Sequence, residues 1–195
     1  MDLEERLHLQ FASHIETVSE SAVRIADPLA RAASTMVEGL LQGSRIITCG
    51  NGGSATIAQH FTAKMIDRYQ RERPGLPALA LGSTAATLTA IGESRGFDRI
   101  YAQQLEALGQ PGDTLLAISA SGTCENIALG LQAAIDRQMR VVLLSGGEST
   151  RLSAMLRDHD VEIRVPDDDV ARVQEVHLLA VHCLCDLIDT CLLGS

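Results

Sequence analysis

The sequence predicts an α/β fold in which a five-stranded parallel sheet is doubly wound between layers of helices. Five short apolar segments alternate with segments of helical periodicity, and strands joined through helices form right-handed crossovers in a parallel sheet. Gly, Ser and Thr cluster directly after two of the strands, and long apolar helices are predicted at both ends of the chain. We therefore expect one domain over residues 1–195, with N-terminal helices over 1–43 and an α/β core over 44–195.

The predicted elements follow one another in a regular order. An amphipathic helix over 3–26 has apolar residues every three or four positions. Its length favours packing against another subunit, with docking on its own domain as the alternative. Asp27-Pro28 is predicted to start a second helix that ends at Gly43. Strands are predicted near 45–49, 77–81, 113–118, 140–145 and 161–165. Helices are predicted near 54–67, 84–93, 98–108, 123–138 and 149–157. The last helix, over about 168–191, is apolar on most faces, so we expect it to be buried at a subunit interface.

The composition limits the classes of function. A net charge of −9, the absence of Trp and the presence of only three Phe argue against nucleic-acid binding, which needs basic patches or aromatic platforms. The five cysteines lack a metal-binding spacing and are interpreted as reduced thiols of a cytosolic protein. The first residues do not resemble a signal peptide, and no segment is expected to span a membrane. We expect a cytoplasmic protein without a nucleic-acid or membrane partner.

A glycine-rich loop joins the first predicted strand to a helix. The segment Asn51-Gly52-Gly53-Ser54 follows the strand, and glycines allow the backbone to approach a ligand closely. The free amides and the positive end of the helix dipole attract an anion such as phosphate. A simple turn is the plainer interpretation. A loose dinucleotide fingerprint also fits the glycines, but it does not account for the loop described next.

A hydroxyl-rich loop follows the third predicted strand. Ser119, Ser121 and Thr123 lie within five residues and can hydrogen-bond a phosphate as neutral donors. Ligands of open parallel sheets bind beyond the carboxyl ends of the strands. The two loops are therefore predicted to converge on one phosphate.

These segments resemble a known family. Both loops, and the segments Ala58-Gln59-His60-Phe61, Arg71-Glu72-Arg73-Pro74 and Arg172-Val173-Gln174-Glu175-Val176-His177, are similar to the SIS (sugar isomerase) fold. More narrowly, they resemble its phosphoheptose isomerase group and the closely related DnaA initiator-associating protein, DiaA. The resemblance runs from about Leu7 to Leu193 and implies a flavodoxin-like sheet, a homotetramer and a bound phosphosugar.

The resemblance to the isomerases also implies roles for individual residues. His182 takes the position of a catalytic base, and a Glu four residues after His60 is the expected partner. That Glu forms a zinc site in the isomerases together with the positions of His60, Gln174 and His182. Here the Glu position is Lys64, whose ammonium has no lone pair with which to bind zinc or take a proton. Ile57 and Ala120 also replace polar residues of the isomerases, so we expect impaired catalysis.

Three functions follow as hypotheses, and the sequence favours the first over the second. Lys64 favours a non-catalytic regulator of the DiaA type, a tetramer without a cofactor that binds DnaA, with the C-terminal Leu192 and Leu193 as candidate contacts. The retained His60, Gln174 and His182 favour a phosphoheptose isomerase acting on sedoheptulose 7-phosphate, with zinc as its cofactor. The third hypothesis is a sensor that binds a phosphosugar, such as a heptose phosphate, without converting it.

Overall fold

A computed structural model describes residues 2–148 and 151–194, and it confirms the predicted α/β architecture. The five strands are all parallel and lie in the order β2-β1-β3-β4-β5. They comprise β1 (Ile46–Gly50), β2 (Ala78–Ala80), β3 (Thr114–Ser119), β4 (Arg140–Gly146) and β5 (Val161–Val165). The α-helices are α1 (Leu3–Leu41), α2 (Gly53–Ile66), α3 (Ala85–Arg95), α4 (Ala102–Leu108), α5 (Glu125–Asp136) and α6 (Val170–Leu193). Short 3₁₀ helices cover Phe97–Arg99 and Ser153–Met155.

The sheet separates two hydrophobic clusters. Alternate residues of each strand point to opposite faces, so that Leu116 and Ile118 join one cluster and Leu115 and Ala117 the other. The first cluster lies under α1, α2 and α6, and the second lies under α4 and α5. Because both faces are covered, the strands of the sheet's centre read as continuous apolar runs in the sequence.

The predicted break in the first helix is wrong. α1 runs without interruption from Leu3 to Leu41 and contains Pro28 in its interior. A proline inside a helix removes one backbone hydrogen bond and costs about 3 kcal/mol. Ile25 before this point and Leu29, Ala32 and Ala33 after it are buried, and this packing holds both halves against the domain and offsets that cost.

The amphipathic stripe at the start of α1 is exposed in the single chain. Leu3, Leu7, Phe11 and Ile15 expose between 60% and 79% of their surface. The burial of α1 side chains on its own domain begins only at Thr17. The expectation that this stripe packs against another subunit stays a prediction.

The helix predicted over 149–157 is also wrong within the described residues. Residues 149 and 150 lie outside them, and the remainder contains only the 3₁₀ helix Ser153–Met155. Side-chain hydrogen bonds take the place of helical ones: Ser153 donates to Glu162, and the backbone amide of Arg157 donates to Asp160. Tertiary contacts therefore override the local helical periodicity.

Helix α6 is a core helix, although by length and composition it is apolar enough to cross a membrane, contrary to the expectation that no segment would be. Val173, Val176, Val181, Leu184 and Ile188 on this helix are fully buried in the first cluster. Val170 and Leu179, in contrast, are nearly half exposed. The buried face packs on the sheet, and this packing accounts for the apolar composition of the helix.

One histidine of α6 is buried in this core. His177 is fully buried and its Nε2 donates a hydrogen bond to the carbonyl oxygen of Ser145, at 3.0 Å. Its Nδ1 has no hydrogen-bond partner among the described residues. Burial lowers the pKa of His177 to about 4, and the hydrogen bond to Ser145 only partly opposes this shift. The ring is therefore neutral in the folded protein near neutral pH.

We predict that His177 makes the folded protein sensitive to mild acid. Its pKa is lower in the folded chain than the ordinary 6.5, so on acidification the unfolded chain is protonated at a higher pH than the folded chain. The free energy of unfolding is therefore largest above pH 6.5 and falls as the pH drops towards 4. The loss amounts to about 3 kcal/mol at 1.36 kcal/mol per pKa unit. His177→Gln keeps a donor for Ser145 but cannot titrate. Urea unfolding at pH 7.5, 5.5 and 4.5 should show a smaller acid loss in the variant, and equal losses would contradict the assignment.

Candidate functional site

The candidate site lies where the order of the strands reverses. β1 and β3 are neighbours in the sheet, with Gly50 paired to Ile118, and they lead to helices on opposite faces. A crevice opens between the loops that follow two such strands. Only glycine fits at position 50, because a Cβ there would lie 2.7 Å from the backbone of Ser54 and 3.0 Å from the carbonyl oxygen of Ile118. Gly52 has φ +54°, a region that also favours glycine.

Side-chain amides join the two loops. Asn51 Nδ2 donates to Asn126 Oδ1 at 2.8 Å, and Asn126 Nδ2 donates back to Asn51 Oδ1 at 2.9 Å. The Tyr101 hydroxyl donates to the carbonyl oxygen of Gly50 beside them. This network fixes the first loop against the start of α5. Asn126 and Tyr101 were not among the predicted site residues, since amides and phenols are common in loops and the sequence gives no distance between them.

A cavity of about 140 Å³ lies between the loops. It is lined by five of the predicted ligand-binding residues, namely Asn51, Ser54, Ser119, Ser121 and Gln174. Ser119 Oγ accepts a hydrogen bond from the amide of Gly122 at 3.2 Å, which leaves its own hydroxyl hydrogen free to point elsewhere. Thr123 does not line this cavity but lies 3.2 Å from the hydroxyl of Ser121. The hydroxyl loop is thus preorganised at the N-terminal end of α5.

A second cavity, of about 560 Å³, adjoins the first. Its lining includes His60 and His182, and Gln174 lines both cavities. The Gln174 amide lies over Gly53, where an added Cβ would come within 2.6 Å of its Oε1. Gly53 therefore gives Gln174 the room to sit between the two cavities. An elongated ligand with a phosphate at one end could occupy both.

The two histidines contact each other across α2 and α6. His60 Nε2 and His182 Nε2 are 2.9 Å apart, so one ring donates to the other. The rings are edge to face, and Tyr69 stacks on His182 with 5.7 Å between ring centroids. Burial lowers the pKa of His60, and the neighbouring His182 and the positive charge of Lys64 lower it further.

Lys64 extends the same face of α2. It follows His60 by four residues, which places the two side chains on one side of the helix. Lys64 also acts on α6: the thiol pKa of Cys185 is raised to about 12 by burial and by Asp189, while Arg73 and Lys64 oppose the rise. Within residues 2–148 and 151–194, no carboxylate lies within 4.0 Å of the Lys64 ammonium.

Comparison with known proteins assigns the family. Residues 10–146 match the family described as SIS domain. The chain belongs to the SIS domain family. It is 49% identical to a protein named phosphoheptose isomerase from Shewanella piezotolerans (strain WP3 / JCM 13877), over 95% of this chain and 94% of that protein. The phosphoheptose isomerase structure from Francisella tularensis matches with a TM-score of 0.95 at 44% identity, over 97% of this chain and 100% of that one. The structure of phosphoheptose isomerase GmhA from Neisseria gonorrhoeae matches with a TM-score of 0.92 at 40% identity, over 97% of this chain and 100% of that one. This SIS protein is therefore phosphoheptose isomerase-like, as its motifs predicted.

The residues of this SIS protein do not fit the zinc site that the resemblance implies. Among the described residues, no group of three or more His, Cys, Asp and Glu is placed to hold a metal ion. Two imidazoles and the weakly binding amide of Gln174 remain, and zinc prefers three or four N, S or carboxylate ligands. The position of the missing carboxylate holds the ammonium of Lys64, which repels a cation. The retained histidines are thus not sufficient for a zinc site.

A buried ion pair sets the spacing of α2 and α6. Arg73 Nε donates to Asp189 Oδ1 at 2.5 Å, and both side chains are almost fully buried. The same guanidinium donates to the carbonyl oxygens of Lys64 and Met65 at the end of α2, at 3.0 and 2.9 Å. Asp189 lies on α6, so the pair holds together the two helices that carry His60 and His182. Arg73 lay in a segment that carried the family resemblance, but the sequence alone did not pair it with Asp189.

The last two candidate residues lie at the end of α6. Leu192 packs partly against the first hydrophobic cluster, whereas Leu193 is 42% exposed. Their role as partner contacts stays a prediction, as does the ligand role of the loop residues.

We predict that the natural protein does not retain zinc and that Lys64→Glu does. Glutamate would supply the missing carboxylate and remove the opposing charge, so about one zinc ion per chain should remain after equilibrium dialysis and metal analysis. Arg140→Glu makes the same change of charge at the start of β4, at the end of the strands away from the cleft, and should not gain zinc. Stoichiometric zinc in the natural protein would show that Lys64 does not disable the site.

We also predict that breaking the buried pair is costly. Asp189→Asn leaves the Arg73 charge buried without a counter-ion and should lower the free energy of unfolding by about 3–5 kcal/mol. Joint replacement by apolar residues, Arg73→Met with Asp189→Leu, should recover most of this loss. Urea unfolding measures both, with Arg140→Met, which breaks an exposed pair with Glu38, as the control. A loss in Asp189→Asn no larger than in that control would contradict the prediction.

Proposed function

We propose that this SIS protein binds a heptose phosphate in the joined cavities and interconverts sedoheptulose 7-phosphate and D-glycero-D-manno-heptose 7-phosphate. The observation that carries the proposal is the 2.9 Å contact between His60 Nε2 and His182 Nε2 in a cavity that Gln174 joins to the hydroxyl loop. Acid–base groups thus stand at one end of an elongated cleft and phosphate donors at the other. The names of the similar proteins support the same reaction.

The hydroxyl loop would hold the phosphate. Ser119 and Ser121 offer neutral donors, and α5 begins directly after the loop with its unpaired amides and positive dipole end. The loops after β1 and β3 are already fixed to each other by the Asn51–Asn126 amide pair. The loop therefore needs little rearrangement to bind the anion, which favours affinity.

The histidine end would move the proton. Aldose–ketose isomerisation moves a proton from the carbon beside the carbonyl to the carbonyl carbon, and it moves the proton of the neighbouring hydroxyl to the carbonyl oxygen. One neutral imidazole can serve as the base for the first of these transfers. We assign this role to His182, whose Nε2 meets His60 and whose ring is held by Tyr69. The substrate would replace the contact between the two rings. Gln174, between the two cavities, would orient the sugar chain.

Lys64 makes this isomerase a slow one. A protonated lysine cannot accept a proton, so the carboxylate expected at this position is missing from the proton transfers. General acid–base assistance contributes about 10²–10⁴-fold to a rate. Turnover in the natural protein therefore depends on the histidines alone.

A second candidate is the non-catalytic regulator that binds the initiator DnaA. Lys64 in place of the carboxylate favours it, and the exposed Leu193 at the end of α6 offers an apolar contact. In this candidate the cleft keeps its phosphosugar ligand and performs no chemistry. The similar proteins named phosphoheptose isomerase favour the first candidate.

We predict slow turnover of sedoheptulose 7-phosphate by the natural protein, followed by NMR with and without zinc. Lys64→Glu should be faster by about 10²-fold or more, because the carboxylate returns to the proton transfers. His182→Asn should abolish turnover, since the amide cannot act as a base. Arg140→Met should match the natural protein.

Two outcomes would redirect the assignment. Absence of turnover in both the natural protein and Lys64→Glu, with the sugar phosphate still bound by calorimetry, would favour the regulator or a sensor. DnaA binding that is lost in Leu193→Ser would then support the regulator. Equal turnover by the natural protein and His182→Asn would contradict the assigned base.

A further inference from the structure

Lys64 is the only lysine in the chain. The other basic residues among the 16 lysines and arginines are all arginines. Several of these are paired with carboxylates, for example Arg45 with Asp113 and Arg157 with Asp160. Lys64 has no such partner among the residues that the structure describes. Its charge is thus free to meet a ligand.

Lys64 lies one helical turn beyond the histidine end of the cleft. α2 lines the larger cavity with Gly53, Ile57 and His60, and Lys64 is the next position on the same helical face. Lys64 is half-buried and does not itself line the cavity, but His60 is within reach of its flexible four-carbon side chain. The backbone at this point is fixed by the hydrogen bond from Arg73 to the carbonyl oxygen of Lys64.

We propose that the cleft selects sugar phosphates that carry a second anionic group, with the phosphate on the hydroxyl loop and the other anion at Lys64. The proposal rests on the proposed function only in taking the loop around Ser119 as the phosphate end. A phosphorylated sugar acid or a sugar bisphosphate has this form. A neutral carbonyl end, as in a ketose monophosphate, leaves the ammonium without a partner.

The chemistry of the site favours an anion over a metal ion at this end. An ammonium binds a carboxylate or phosphate oxygen through charge-assisted hydrogen bonds, which are about twice as strong as neutral ones. The neighbouring imidazoles can donate to the same oxygens. The residue that excludes zinc therefore provides a site for the opposite charge.

The test uses pairs of ligands in which one member adds a second anionic group. Sedoheptulose 7-phosphate is compared with sedoheptulose 1,7-bisphosphate, and glucose 6-phosphate with 6-phosphogluconate, by calorimetry at one ionic strength. We expect the member with the second anionic group to bind about tenfold tighter or more in at least one pair. The first pair tests a phosphate and the second a carboxylate, so the two sources of the anion are distinguished.

Variants separate the charge of Lys64 from other effects. Lys64→Met keeps the length of the side chain and should abolish the preference, while Lys64→Arg should keep it. Arg140→Met removes an equal charge at the start of β4, at the end of the strands away from the cleft, and should also keep the preference. A preference that persists in Lys64→Met, or equal binding of both members of each pair, would overturn the inference. Failure of every sugar phosphate to bind would instead overturn the proposed function.

Because the chain has a single lysine, the response of Lys64 to a bound ligand can be measured directly by NMR. Reductive methylation with ¹³C-formaldehyde labels Lys64 and the N-terminal amine, and it keeps the positive charge. We expect the lysine signal in ¹³C NMR spectra to shift on addition of a ligand that binds and carries the second anionic group, and to remain in place with its monophosphate partner. The signal of the N-terminal amine serves as the internal control. A lysine signal that does not respond to a bound ligand with the second anionic group would overturn the inference.

Discussion

The candidate site depends on the buried ion pair between Arg73 and Asp189. Arg73 fastens the end of α2 to α6, and these helices supply the two histidines. The 2.9 Å contact between His60 and His182 joins residues far apart in the chain, so only tertiary packing can set it. A buried pair adds little net stability over apolar residues, but removal of one partner is costly. Here Arg73 and Asp189 join the end of α2 to α6 through directional hydrogen bonds, which apolar contacts do not provide.

The fold could be predicted from the sequence because its signals are local. The predicted strand near 113–118 differs from β3 by one residue at each end, and the glycine and hydroxyl loops lie at the carboxyl ends of β1 and β3 as expected. The continuity of α1 through Pro28 could not be predicted in the same way, since it depends on the burial of Ile25 and Leu29 against distant elements. Predictions based on neighbouring residues include the cost of the proline but not the tertiary packing that offsets it.

The site was predictable in part for the same reason. Ser119 and Ser121 are close in sequence, and the structure places them around one cavity with Asn51 and Gln174. The amide pair of Asn51 and Asn126 spans two loops, and the hydrophobic periodicity of the sequence does not predict such a contact. The resemblance to the isomerases named His60 and His182, but their distance and the stacking of Tyr69 appear only in three dimensions.

At one residue, Lys64, the chain departs from the chemistry that its family resemblance implies. The sheet, the loops and the histidines of this SIS protein follow the family, and a fold alone does not determine a reaction. Lys64 puts a positive charge one helical turn beyond His60, at the position where a carboxylate was expected, and this charge disfavours a cation there. Arg73 binds the carbonyl oxygen of residue 64, a contact that does not depend on the side chain at that position. The same backbone can therefore carry either charge, and the proposed slow turnover and the proposed preference for a second anion both follow from this one side chain.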